Sequence, residues 1–320
     1  MNKKGKLFRA NMLADHLFKR YKDNPIITNG DMPYICGAVF NAGATIFEDE
    51  TLLLLRVEDL EGISHLTVAR SRDGFTGWRI EKDPLMYPCM DNGPYEVYGC
   101  EDPRLTYLDD LKKWVIAYTA YSPFGAGVAL ALTDDFKRVD RLGLVLAPNN
   151  KDAAVFPRKI NGRYWMLHRP VAGDIEHIWL TESEDLVHWG HPWCVIMERD
   201  GPRWDACKIG ANTVPIETPE GWLILYHGVK MFAAGPTYRM GMALLDLEDP
   251  RRLIARLPFW VLGPSEYYET SGAVPNIVFS CGHTQTGNRI NLYYGAADCR
   301  LCVATASVNE LIDELKKYRV

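Results

Sequence analysis

A unit of three short strands recurs five times along this chain, and few folds accommodate such a repeat. Runs of four to eight apolar or β-branched residues, bounded by turn residues, read as strands. The first unit holds Gly43–Phe47, Thr51–Leu55 and His65–Arg70; the second Arg104–Leu108, Lys113–Tyr118 and Gly127–Leu132. The third holds Phe156–Ile160, Tyr164–His168 and His177–Thr181; the fourth Ala211–Ile216, Gly221–Tyr226 and Tyr238–Leu244. Val274–Val278, Arg289–Tyr294 and Leu301–Thr305 make the fifth. Each unit runs strand, tight turn, very apolar strand, polar loop, strand, at a spacing of about 55–60 residues. Two units share a smaller signature, Ser71-Arg-Asp73 followed by Trp78 and Ser183-Glu-Asp185 followed by Trp189. Radial repetition leaves few exposed edges, so the pattern predicts an all-β, five-bladed β-propeller over residues 1–320. A β-sandwich with insertions competes, but the repetition disfavours it. Residues 1–24 read as an amphipathic helical extension. Leu311, Ile312 and Leu315, at helical spacing, predict a closing helix within 307–320.

Composition narrows the function. A net charge of −5 with no basic stripe argues against a nucleic-acid partner. No apolar run reaches membrane-spanning length, and nothing near Met1 has a signal-peptide core. The eight cysteines are scattered, so they are expected to be reduced in a cytoplasmic protein. Cys299-x-x-Cys302 has no second pair behind it, so no metal site is expected. The 9 Trp, 16 Tyr and 11 Phe supply core, and also the flat faces on which sugar rings stack.

In a propeller the first strands line a central channel, and polar residues gather where they begin. Asn41, Glu101, Asp102, Arg158, Lys208, Asn212 and Asn276 lie at those turns. The apolar second strands end in Arg56, Tyr118 to Tyr121, His168 and Arg169, His227, and Tyr294 to Asp298. Burying so many charges is unfavourable unless they are paired or meet a ligand. Gly99-Cys-Glu-Asp-Pro-Arg104 is the densest of these sites, and Pro103 is expected to push Asp102 towards an extended conformation. Taken alone, an Asp-Pro is ordinarily just a turn. The cations Arg158, Lys208 and His227, with Arg239, are the residue types that cradle a phosphate dianion. One well-placed acid, sugar-stacking rings and an anion cradle together suit a phosphorolytic glycosidase.

In order and spacing, these motifs resemble glycoside hydrolase family 130, the β-mannoside phosphorylases and related mannosidases. The resemblance covers residues 24–306. It rests on Asn24-Pro-Ile-Ile27, Asn41-Ala-Gly-Ala44, Arg56-Val-Glu-Asp59, Gly99-Cys-Glu-Asp-Pro-Arg104 and Phe156-Pro-Arg-Lys159. Met166-Leu-His-Arg169, Tyr226-His-Gly228, Tyr238-Arg-Met-Gly241 and Tyr293-Tyr-Gly-Ala-Ala-Asp298 complete it. It implies that inorganic phosphate attacks the anomeric carbon of a terminal β-mannosyl unit with inversion, giving α-mannose 1-phosphate. Asp102 matches the family's general acid, acting through the mannosyl 3-hydroxyl. Arg158, Lys208, His227 and Tyr238 would hold phosphate, while Asn41, Arg56, Arg104, His168 and Asp298 would bind mannose. No cofactor is implied beyond phosphate as co-substrate, and the family suggests a homo-oligomer. The chain's length resembles the branch acting on β-1,4-mannooligosaccharides or mannosyl-N-acetylglucosamine, with β-1,2-mannosides as the alternative. Pro123–Gly127, Val171–Asp174 and Met231–Gly235 are candidate loops at the acceptor side.

Two other readings stand beside this one. An exo-β-mannosidase would use water and a second carboxylate, Glu101 or Asp59, as base. A non-catalytic propeller would bind glycans and tolerate loss of Asp102. No nucleotide loop, nucleophile elbow or zinc-protease motif occurs in the sequence.

Overall fold

A computed structural model describes residues 17–320, apart from 92, 172 and 174. Most of the expected N-terminal helix therefore lies outside the described residues. Its described end is not helical: β1 (Lys19–Arg20) pairs antiparallel with Thr305 and Ala304 of the last strand. A strand wins here because its backbone groups complete an edge that would otherwise stay open.

The rest of the chain is a succession of antiparallel meanders. The first comprises β2 (Ala38–Phe47), β3 (Glu50–Glu58), β4 (Ser64–Ser71) and β5 (Arg79–Ile80). The second comprises β6 (Gly99–Leu108), β7 (Lys113–Ser122), β8 (Gly125–Thr133) and β9 (Asp140–Leu146). These two are joined by one parallel pair, Ser64 with Gly99, into an eight-stranded sheet. β10 (Asn150–Val155), β11 (Tyr164–Pro170), β12 (Ile178–Ser183) and β13 (Trp189–Ile196) form the third. β14 (Lys208–Ala211), β15 (Ile216–Thr218), β16 (Gly221–Phe232), β17 (Gly235–Leu245) and β18 (Leu253–Arg256) form the fourth. β19 (Val278–Thr286), β20 (Arg289–Ala296) and β21 (Arg300–Ser307), completed by β1, form the fifth.

The second strand of each meander is apolar on both faces because it has a sheet on either side. Side chains alternate along a strand, so consecutive residues face opposite neighbours. Leu52 and Leu54 pack with Ile116 and Tyr118 of the second meander, whereas Leu53 and Leu55 pack with Tyr293 and Val303 of the fifth. Val115 and Ala117 face Val155 and Met166. Leu167 meets Trp222 and Ile224, while Leu223 and Leu225 meet Leu292 and Tyr294. The cores thus link the first meander to the second, and so on in order, with the fifth packed on the first.

Helix is scarce. α1 (Tyr267–Thr270) is a single turn, and α2 (Val308–Leu315) is the closing helix expected from the sequence. Ser307 caps α2, its hydroxyl oxygen accepting from the Glu310 N–H at 3.3 Å. Val308, Leu311, Ile312 and Leu315 bury the inward face against the core shared by the fourth and fifth meanders. Among the described residues, no helix is long and apolar enough to cross a membrane.

One strand sits elsewhere than expected. The first strand of the third meander is Asn150–Val155, and Phe156–Ile160 is the turn that follows it. The apolar run misled because it continues past the strand end into the core, where Phe156 and Ile160 are fully buried.

Candidate active site

The first strands share an irregularity. Bulges interrupt pairing between Phe40 and Gly43, Glu101 and Arg104, Lys151 and Ala154, and Ser280 and Gly282. At three of them a short polar residue takes left-handed backbone: Asn41 (φ 46°), Asp102 (φ 52°) and Asp152 (φ 57°). Asn and Asp tolerate this conformation best, and a bulge re-aims one side chain out of the strand's alternation. Asp102 is therefore not extended, as Pro103 alone would dictate; the bulge overrides the proline.

These side chains converge on a cavity of about 230 Å³. Contacts sort the lining into two walls, Asn41, Arg56, Glu101 and Asp102 on one and Asp152, Arg169, Lys208, His227 and Tyr238 on the other, with Lys151 and Asp298 also facing the cavity. Phe279 and Ile277 supply apolar surface between them.

On the first wall, Asp102 Oδ1 accepts from Asn41 Nδ2 and from Arg56 Nη1, both at 2.9 Å. Arg56 also donates to Glu101 Oε1 and Ser64 Oγ, each at 2.9 Å, and its guanidinium lies over the Phe40 ring. Burial pushes the Asp102 carboxyl up, but the Arg56 and Arg104 guanidiniums and the Asn41 amide outweigh it and hold it below the usual range. Glu101 moves the other way, because its burial outweighs Arg56. Asp298 is pushed up to about 7 by burial, against Arg56 and helped by Asp102, Glu58 and Glu101.

The second wall is cationic. Arg169 Nη1 donates to His227 Nε2 at 3.3 Å, and His227 Nδ1 lies 3.0 Å from Asn212 Oδ1. Burial holds His227 down to about 3, with Arg169, Arg104 and Lys208 opposing the pull of Asp152. The ring is therefore neutral at pH 7, and the positive charge comes from Arg169, Lys208 and Lys151. Lys208 Nζ lies over the Tyr238 ring at 5.6 Å, and that ring stacks near His227 at 5.9 Å.

Of the residues singled out in the sequence, Asp102, Asn41, Arg56, Asp298, Lys208, His227 and Tyr238 line this cavity. Three do not. Arg158 lies in the turn after β10, where it pairs with Glu217 at 2.8 Å and covers Trp222. It is six residues beyond Asp152, roughly 20 Å along an extended chain. Arg104 is 1% exposed and braces the site from beneath, donating to the carbonyl oxygens of Asp102 at 3.1 Å and Ala211 at 2.7 Å. His168 is buried beside the site, its Nδ1 3.1 Å from Asn150 Oδ1, and burial holds it down to about 4. Arg239 lies over Trp260 and Phe232. The loop 171–174 lies partly outside the described residues.

Lys151 and Asp152 line the cavity without being singled out by the sequence, and Arg169, which the sequence places only at a strand end, lines it where Arg158 does not. The available signal was the polar triplet Asn150-Lys151-Asp152 immediately before Ala153-Ala154-Val155. It marks a strand that starts polar at the pocket and ends apolar in the core.

The model of glycoside hydrolase family 130, described as beta-1,4-mannooligosaccharide phosphorylase, matches residues 18–317. A beta-1,2-mannobiose phosphorylase from Listeria innocua is 34% identical, covering 93% of this chain and 98% of its own. A beta-1,4-mannooligosaccharide phosphorylase from Ruminococcus albus is 33% identical over 93% of this chain and 91% of its own. The solved structure of the Listeria innocua beta-1,2-mannobiose phosphorylase with beta-1,2-mannobiose superposes with a TM-score of 0.85 at 32% identity, covering 94% of this chain and 99% of that one. The family model over residues 18–317 and relatives of 33–34% identity along most of both chains show that the chain belongs to glycoside hydrolase family 130.

Proposed function

We propose that the meanders form a five-bladed β-propeller and that the axial cavity catalyses inverting phosphorolysis of terminal β-mannosides. The cyclic order of the packed cores supports the propeller. The observation that carries the reaction is that one cavity joins Asp102, held by Asn41 and Arg56, to the cations Arg169 and Lys208.

In this reading the mannosyl unit lies against Asn41, Arg56 and Asp298, and phosphate lies against Arg169, Lys208, Lys151 and Tyr238. A phosphate oxygen bonds to the anomeric carbon as the glycosidic C–O bond breaks. The leaving oxygen takes a proton from the mannosyl 3-hydroxyl, which takes one from Asp102. Asp102 must be protonated for that step. A bound sugar removes its remaining water, and a phosphate dianion opposes the Arg56 and Arg104 fields, so both ligands raise its pKa. The nucleophile is already an anion, so a single acid suffices. Water-based hydrolysis needs a second carboxylate. Glu101 is tied to Arg56 at 2.9 Å, and Asp59 is occupied within its own turn by the N–H groups of Glu61 and Ile63.

Both β-1,4- and β-1,2-linked substrates belong in the test, since relatives of near-equal identity act on each. Phosphorus NMR of a reaction with each mannobiose and inorganic phosphate reads product and stereochemistry together. α-Mannose 1-phosphate supports the proposal; a β-anomer, or no phosphorylated sugar from either mannobiose or from mannosyl-N-acetylglucosamine, contradicts it.

A further inference from the structure

The mechanism above leaves one buried carboxylate of the cavity without a role. Asp152 is 2% exposed, lines the cavity and stands on left-handed backbone at the β10 bulge. Its Oδ1 lies 3.4 Å from Arg104 Nη2, and its Oδ2 lies 3.2 Å from Arg169 Nε and 3.6 Å from His227 Nε2. The Arg169 contact is an ion pair rather than an aligned hydrogen bond, the neutral His227 ring adds no charge, and Oδ2 has no hydrogen-bond partner among the described residues. Arg104 is itself fixed by the carbonyls of Asp102, Ala211 and Asn212. Asp152 is thus held from beneath by a rigid guanidinium and pairs with Arg169, one of the cations assigned to the phosphate side. Gly210 on β14 makes room for this: a Cβ there would collide with Asp152 Oδ2 and come within 2.6 Å of His227 Cε1.

We propose that Asp152 is a positioning residue that aims Arg169 at the incoming phosphate. The inference rests on the phosphorolytic reading. It carries a sign that separates it from its simplest competitor. A carboxylate merely standing near a dianion repels it, so neutralising that carboxylate would tighten phosphate binding. A carboxylate that orients the cradle does the opposite, because displacing a binding group by even an ångström is expensive.

The test measures KM for phosphate and for mannoside separately, together with calorimetric titration of inorganic phosphate alone, in wild type, Asp152→Asn and Gly210→Ala. Asp152→Asn keeps the shape and removes the charge; Gly210→Ala keeps the charge and crowds both the carboxylate and the His227 ring. The expected result is a phosphate KM raised about tenfold or more in both variants, with weaker phosphate binding and a mannoside KM close to wild type. The KM split excludes a purely structural role, and Asp152→Glu, which keeps the charge but moves the carboxylate, serves if Asp152→Asn does not fold. A phosphate KM that is unchanged or lower in Asp152→Asn, in a wild type that binds phosphate, overturns the positioning role and leaves the reaction standing. A wild type that binds no phosphate overturns the phosphorolytic reading, and this inference with it.

Discussion

Asn41 Nδ2 donates to Asp102 Oδ1 across 2.9 Å, and both residues occupy left-handed backbone at bulges in first strands of adjacent meanders. The acid is therefore held by its own chain and by the neighbouring meander, which fixes the carboxylate without rotamer freedom. One oxygen is committed to Asn41 and Arg56, and in the proposed mechanism the other meets a sugar hydroxyl.

Replacing that acid without changing its shape is the plainest consequence. Asp102→Asn is expected to lower kcat by roughly 10²–10⁴-fold while the protein stays folded, the usual worth of general-acid assistance. Glu101→Gln should do far less. An equal loss in both, measured at saturating phosphate, would point to a two-carboxylate hydrolytic mechanism instead.

The cationic wall gives a paired comparison. Arg169→Ala is expected to raise the phosphate KM by about tenfold or more, whereas Arg158→Ala, which removes a surface pair with Glu217, should leave it near wild type. Initial rates against phosphate concentration decide it, and the reverse order would mean that the cradle lies elsewhere.

Asp298 links the site to stability. Its folded pKa of about 7 stands above the ordinary 3.8, so between these values the folded state holds a proton that the unfolded chain has released. The folded state is then favoured at low pH, and that contribution fades as pH rises from about 4 to about 7. Asp298→Asn does not titrate, so its melting temperature should gain on wild type across that window and hold the gain above it. The gap at pH 8 is expected to be on the order of 2–4 kcal/mol. Thermal melts at pH 4.5 and pH 8 measure it; parallel curves would mean that Asp298 is ionised in the folded protein.

Much of this was legible in the chain. The all-apolar second strands, such as Leu52–Leu55 and Leu223–Leu225, announce strands covered on both faces, and their recurrence gives the number of units. Asp102, Arg56 and Asp298 stood out because charged residues beside such strands need partners. What was hidden depended on register. In the third unit, placing the first strand at Phe156 rather than Asn150 moved attention from Lys151 and Asp152 to Arg158. Bulges were equally invisible, since one extra residue at Asp102 or Asp152 leaves no mark in the hydrophobic pattern. Burial depth is the third gap: Arg104 and His168 have the chemistry of ligand-binding residues, yet they lie behind the residues that face the cavity.

The most direct test of the central claim is the rate of mannoside cleavage with and without inorganic phosphate, on β-1,4- and β-1,2-mannobiose in parallel. The account predicts cleavage of at least one of them that depends on phosphate and yields mannose 1-phosphate in step with substrate loss. Free mannose released at the same rate in phosphate-free buffer would contradict it, and would make the cationic wall a feature of some other ligand.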